Sequence, residues 1–167
     1  MNKLNYWIII LHLILSGCNK DYKVTPGSYV GNLYTIDNQE IPFDLDILKD
    51  GSAAPRVVII ATGSEVGIAL DAQIALEADG IATRVVSAPC LEWFNQEPET
   101  YRNSVIPNTA LRVSVEAGIA QGWREYVGDK GIVISLDHFG ASAGAGKLFA
   151  EFGFSAERIV GDIKKAL

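Results

Sequence analysis

The chain has 167 residues and a net charge of −6, with no stripe of clustered Lys and Arg, which excludes a protein built to bind the phosphate backbone of nucleic acid. Hydrophobic residues make up 49% and charged residues 20%, so a packed core is expected and disorder is not; the length suits one ordinary domain with an appendage. Two cysteines, Cys18 and Cys90, make no disulfide framework, and no His/Cys cluster has the spacing of a zinc site.

The chain opens with the short positive Met1-Asn-Lys3 and then runs apolar over residues 6–15, broken only by His12. Leu15-Ser-Gly-Cys18 follows, and then polar residues. A basic start, a short apolar stretch and small residues before a cut site make the pattern of a secretory signal. The stretch falls short of the roughly 20 apolar residues needed to span a bilayer. A buried core segment ending in Cys is the alternative, but the position at the start of the chain and Lys3 favour a signal. Leu15-Ser-Gly-Cys18 resembles the lipobox of bacterial lipoproteins. That resemblance implies a lipid anchor on Cys18 and a membrane-anchored or periplasmic address.

Residues 19–46 read as a linker and a β-hairpin. Pro26-Gly27 marks a turn, Asp37-Asn38 supplies another, and Ile41-Pro-Phe-Asp-Leu-Asp-Ile47 alternates at period two. The organisation is therefore a leader at 1–18, a linker and hairpin at 19–46, and a domain at 47–167.

The domain begins with a strand and turn at Ile47-Leu-Lys-Asp-Gly51. Ser52-Ala-Ala-Pro55 is a loop. Val57-Val-Ile-Ile-Ala61 is a continuous β-branched run, as a strand covered on both faces requires. Thr62-Gly63-Ser64 ends it, and Ser64 is placed to cap the next helix, with Glu65 and Asp71 towards its positive end. Val66, Leu70 and Ile74, flanked by Ala69 and Ala78, predict its buried stripe. Asp79-Gly80 stops it. A second strand is predicted at 83–87, and loop with a short helix at 89–103, with Trp93 and Phe94 as core plugs. A third strand follows at 111–115, a short helix at 121–127 and a fourth strand at 132–136. Residues 147–152 and 156–167 read as helices, the last with Val160, Ile163 and Leu167 on one face. Strands alternating with helices predict a mostly parallel sheet with helices on both sides, an α/β fold of three layers.

Several constellations invite chemistry. The strand–Thr62-Gly63-Ser64–helix junction is the best site on physical grounds, because helix amino termini attract anions and open α/β sheets bind ligands beyond strand carboxyl ends. Gly63 and Ser64 are thus the anion-site candidates. Glu65 beside them repels phosphate, so a structural cap is the preferred reading. Gly140-Ala-Ser-Ala-Gly-Ala-Gly-Lys147 approaches a nucleotide loop, but that pattern needs Gly at 141 and Ser or Thr at 148, where Ala141 and Leu148 stand. A small-residue packing turn is the better reading. Asp137 and His138 are neighbours on an extended segment and point apart. Glu116 follows a strand and is placed to cap a turn or to touch a partner subunit. Cys90 has no evident activating base and reads as inert.

Five segments occur in the order and spacing of a known family. They are Arg56-Val-Val-Ile-Ile-Ala-Thr-Gly-Ser-Glu-Val66, Arg84-Val-Val-Ser-Ala-Pro-Cys90, Val115-Glu-Ala-Gly-Ile-Ala120, Phe139-Gly-Ala-Ser-Ala143 and Leu148-Phe-Ala-Glu-Phe-Gly-Phe154. Together they resemble the carboxy-terminal domain of transketolases. The resemblance implies an α/β/α domain of about five strands, one of them antiparallel, and a cytoplasmic address that conflicts with the leader. It further implies that thiamine diphosphate, its divalent cation and the catalytic groups belong to two other domains, so no catalytic, cofactor or metal residue is carried over to this chain.

The leading expectation is therefore a transketolase-like carboxy-terminal fragment with a structural or dimer-contact role, catalytically silent alone. One alternative is part of a split transketolase, completed by a separate chain and transferring two-carbon ketol units. Another is a membrane-tethered small-anion-binding module using Gly63 and Ser64. The expected partners are a second copy or the missing domains, and a lipid surface through Cys18. A recombined gene, an artificial fusion or an assembly error each accounts for a join near residues 46–47.

Overall fold

Every residue of the Val57–Ala61 strand is buried, which places it at the centre of the sheet. The strands are β1 (Asp46–Lys49), β2 (Val57–Ala61), β3 (Thr83–Ser87), β4 (Leu111–Val115) and β5 (Ile132–Ile134). They form one sheet in the order β1-β3-β2-β4-β5. β2 runs parallel to β3 and β4, and β4 parallel to β5, whereas β1 is antiparallel to β3, with Asp46 opposite Ser87. The computed structural model describes residues 45–167. The expected leader, Cys18 and the expected linker and hairpin up to residue 44 lie outside the described residues.

Six helices complete the described fold: α1 (Glu65–Ala78), α2 (Leu91–Gln96), α3 (Glu99–Val105), α4 (Trp123–Val127), α5 (Ala145–Phe152) and α6 (Ala156–Ala166). None is long and apolar enough to cross a membrane. Alternate residues of the central strands face opposite layers. Val57, Ile59, Val85, Val113 and Val115 meet α1 and α6 through Val66, Ala69, Leu76, Ile159 and Ile163. Val58, Ile60 and Val86 meet Phe94, Val105, Ile106, Trp123 and Tyr126 of the other layer. The expected three-layer α/β/α architecture with one antiparallel strand is the observed one, and strands β2, β3 and β4 occupy their predicted residues.

The buried face of α1 differs from the predicted one. Val66, Ala69, Ala72, Gln73 and Leu76 are buried, while Ile74 is 67% exposed. A stripe at successive i+4 steps drifts about 40° per step around a helix with 3.6 residues per turn. The alternation of three and four, through Ala69 and Ala72, holds one face and lets the helix lie close on the sheet. In α6, Ile159 and Ile163 enter the core, Val160 is partly buried, and Leu167 is exposed beyond the last turn. The segment at 89–103 holds two helices, because Pro98 cannot continue α2 and instead opens α3. There Phe94 is buried and Trp93 only partly so. β5 ends at Ile134, two residues earlier than predicted.

Polar contacts lock these elements together. Arg84 on β3 makes a two-point contact with Asp50, Nε to Oδ1 at 2.8 Å and Nη2 to Oδ2 at 2.9 Å. Its Nη1 also donates to the Ser104 and Val105 carbonyl oxygens of α3. Gln73, buried in α1, donates to the Thr83 carbonyl oxygen at 2.8 Å, so its side-chain amide is not stranded in the core. Glu77 accepts from the Thr83 amide at 2.6 Å, which fixes the end of α1 against the start of β3. Gly131 is required by close approach, since a Cβ there would overlap the Val127 carbonyl oxygen. Leu45, just before β1, is fully buried among Val58, Ile60 and Phe94.

Candidate functional site

The chain leaves β2 through α1 to reach β3 on one side. It then leaves β3 through α2 and α3 and passes back to β4 on the other side of β2. The crossover direction reverses between β2 and β4, so a crevice opens beyond their carboxyl ends, the place where open α/β sheets receive ligands. Ala61 and Val115 are opposite one another in the parallel register. Thr62, Gly63, Ser64 and Glu65 therefore follow β2 at the level where Glu116, Ala117 and Gly118 follow β4.

Gly63 has φ +54, which lets the backbone turn from strand into helix. Ser64 does not act as the expected side-chain cap. Its backbone is already helical and its hydroxyl makes no cap bond; it donates instead to Glu65 Oε2 at 3.0 Å. Glu65 is only 3% exposed. Burial raises its pKa, against lowering contributions from the Ser64 hydroxyl and from its own and the Ala117 backbone N–H groups. Glu116 is partly buried, and its Oε2 is fully enclosed without a hydrogen-bond partner. Burial first, and the negative charge of Glu65 second, push the Glu116 pKa up to about 7.

A cleft of about 250 Å³ adjoins Glu116, lined in part by Thr62, Pro89, Glu92, Glu116, Gln121 and Trp123. No Lys or Arg is among its described lining residues. The arrangement can hold and exchange a proton near neutral pH and can accept hydrogen bonds. It sets carboxyl groups and no described cation where an anion would have to sit, so nothing on the described lining of the cleft compensates a phosphate's charge. Sequence reasoning singled out Glu65 and Glu116 separately and missed their proximity. The available signal was that each carboxylate follows closely on an apolar β-branched strand.

Of the other sequence candidates, Asp137, His138 and residues 140–147 do not line this cleft. His138 is exposed, its Nδ1 donates to the Phe139 carbonyl oxygen at 2.8 Å, and its ring meets the Phe152 ring edge-on at 4.8 Å. Residues 139–147 form an exposed turn and the first exposed residues of α5, with Gly144 in an extended conformation at the helix start. Cys90 is buried at the start of α2. Among the described residues no cluster of His, Cys, Asp and Glu is arranged to hold a metal ion.

A family described as the transketolase-like TK C-terminal domain matches residues 46–155. Curated relatives include the transketolase of Mycobacterium tuberculosis, 50% identical over 114 residues, covering 68% of this chain and 16% of that protein. Transketolase 2 of Escherichia coli is 48% identical over 122 residues, covering 72% and 18%. Among solved structures, transketolase from Leishmania mexicana is similar with a TM-score of 0.68 and 37% identity, covering 74% of this chain and 18% of that one. A split gene transketolase solved as an inactive β4 tetramer shares the fold, with a TM-score of 0.60, 24% identity, and coverage of 82% and 46%. The chain thus spans less than a fifth of the length of the curated relatives named above.

Proposed function

Since the chain belongs to the transketolase-like C-terminal domain family, we propose that residues 47–167 serve as an architectural and subunit-contact module that is catalytically silent by itself. The supporting observation is the chemistry of the crevice. A diphosphate cofactor with its divalent cation needs basic or amide donors for phosphate and ionised oxygen ligands for the metal. Here the switch-point crevice offers Glu65 and Glu116 with raised pKa values and no basic lining, so thiamine diphosphate does not fit it. Protein groups in such enzymes bind and orient the cofactor that carries the chemistry. On this reading the crevice leaves ketol transfer to domains that hold the cofactor.

The second reading is that the chain completes a transketolase whose cofactor-binding domains lie on a separate polypeptide. The fold it shares with the split gene transketolase favours this reading. Mixing the purified chain with a transketolase lacking its own carboxy-terminal domain tests both. Restored ketol transfer supports completion, whereas stable association without added activity supports a purely architectural module. The leader suggests an address: Cys18 would carry the lipid and hold the domain at a bacterial membrane. Gly63 and Ser64 remain the place where a small-anion module would bind, and a phosphate titration followed by amide shifts at these two residues decides that.

A further inference from the structure

We infer that a cavity near the amino end of β4, formed with α2, α3 and α4, is a binding site for a compact oxyanion, a phosphate or carboxylate group held by Arg102 and Arg112. The cavity has a volume of about 200 Å³ and both arginines line it. Arg112 pairs with Val58, whose side chain packs in the α2–α4 layer, so Arg112 belongs to that face of the sheet. It is the second residue of β4, roughly 10 Å along the strand from the end that carries Glu116. Among the described residues neither guanidinium is ion-paired to a carboxylate. Arg102 Nε is fully enclosed and has no hydrogen-bond partner. A buried donor left in this state costs free energy that an acceptor recovers. A guanidinium meets the oxygens of a carboxylate or phosphate in a planar fork.

The neighbouring polar groups add donors. The Tyr126 hydroxyl accepts from Asn95 Nδ2 at 2.8 Å, which leaves its own proton to give. Burial raises the Tyr126 pKa, against the Asn95 hydrogen bond, so the hydroxyl keeps that proton at neutral pH. Asn103 Oδ1 accepts from Asn108 Nδ2 at 3.1 Å, and the Asn103 amide nitrogen is left to donate. Gly128, with φ +73, makes room for Arg112, since a Cβ there would stand 3.1 Å from Arg112 Nη2. Glu99 and Glu125 also line the cavity, but both are exposed, whereas Arg102 and Arg112 are half-buried. Positive charge therefore lies inside and negative charge towards solvent. That order suits one anionic group entering alone and opposes a ligand whose negative charge continues outward. The volume, below the roughly 300 Å³ at which pockets for drug-sized ligands begin, leaves no room for a whole thiamine diphosphate. The site is separate from the crevice beside Glu116 and stands whether or not the chain completes a transketolase.

The test titrates sodium phosphate and, separately, sodium malonate into the full chain at constant ionic strength. Arginine Nε–H and backbone amide resonances are followed by NMR, and the melting of each variant alongside. At least one of the two anions should shift the Arg102 Nε–H resonance saturably. Arg102→Gln and Arg112→Gln should weaken binding roughly tenfold or more, the loss of one charged hydrogen bond. Arg112→Lys, which keeps the charge and loses the fork, should weaken it too. Lys130→Gln removes an exposed charge outside the cavity and should bind as the wild type does. A response to phosphate alone or to malonate alone supports the site and identifies the group it takes. No saturable shift at Arg102 with either anion would overturn the inference. Shifts confined to Gly63 and Ser64 would overturn it too, and would move the anion to the crevice. An equal loss in Lys130→Gln would reduce the effect to surface charge and overturn the site. If a glutamine variant melts far below the wild type, the wild-type Nε–H response decides.

Discussion

Glu65 and Glu116 stand beyond the carboxyl ends of two neighbouring parallel strands, and the charge of the first raises the pKa of the second. Burial contributes the larger part, since an enclosed carboxylate without a donor resists ionisation.

Stability should fall as the pH rises through this titration. Glu116 has an ordinary value of 4.5 and a folded value of about 7, so between these limits the native state binds more protons than the unfolded chain. Its protonated form contributes fully below pH 4.5, and that contribution is lost as the pH passes 7. Glu116→Gln should melt higher than wild type at pH 8 and close to it at pH 4. Thermal melts across this range check the slope, and an unchanged slope in the variant would show that Glu116 ionises freely in the folded protein.

The corrected face of α1 gives a direct contrast. Leu76 is fully buried and Ile74 mostly exposed on the same helix. Leu76→Ala should cost about 2–5 kcal/mol through lost burial and the cavity left behind. Ile74→Ala should stay within about 0.5 kcal/mol of wild type. Urea unfolding of the two variants measures both, and equal losses would restore the stripe read from spacing alone.

The central strands were legible because their β-branched runs are bounded by Gly, Pro and polar turns, and burial on both faces leaves no competing pattern. Val57–Ala61 is the clearest case. The face of α1 was not legible, because Leu70 and Ile74 are as apolar as the residues that are buried. Only the close seat of Ala69 and Ala72 on the sheet decides the rotation. The carboxylate pair was half legible. Each glutamate marks a strand end, but their meeting depends on the order β3-β2-β4, which local pattern does not encode.

The start of the domain can be checked in the same way. Leu45 is buried in the core and its carbonyl oxygen accepts from the Tyr101 hydroxyl at 3.5 Å, although the sequence pattern starts the domain at 47. A chain begun at residue 45 should unfold cooperatively and be more stable than one begun at 47, by about 2–3 kcal/mol for one large buried side chain. Equal midpoints and slopes in denaturant would show that Leu45 adds nothing.

The leader makes an independent prediction. Expressed in a bacterium, the chain should partition to membranes and take up labelled lipid, and Cys18→Ala should abolish the label. One acyl chain binds only marginally and several anchor stably, so the mature form should resist a salt wash. Soluble protein retaining Met1 and carrying no lipid would refute the proposed address.

Calorimetric titration of thiamine diphosphate with Mg²⁺ into the purified chain tests whether the domain is silent by itself. A silent carboxy-terminal module should give heats no larger than dilution, because the crevice beside Glu65 and Glu116 offers a diphosphate no basic group. Saturable binding in the micromolar range would contradict it, and would mean that this domain holds the cofactor on its own.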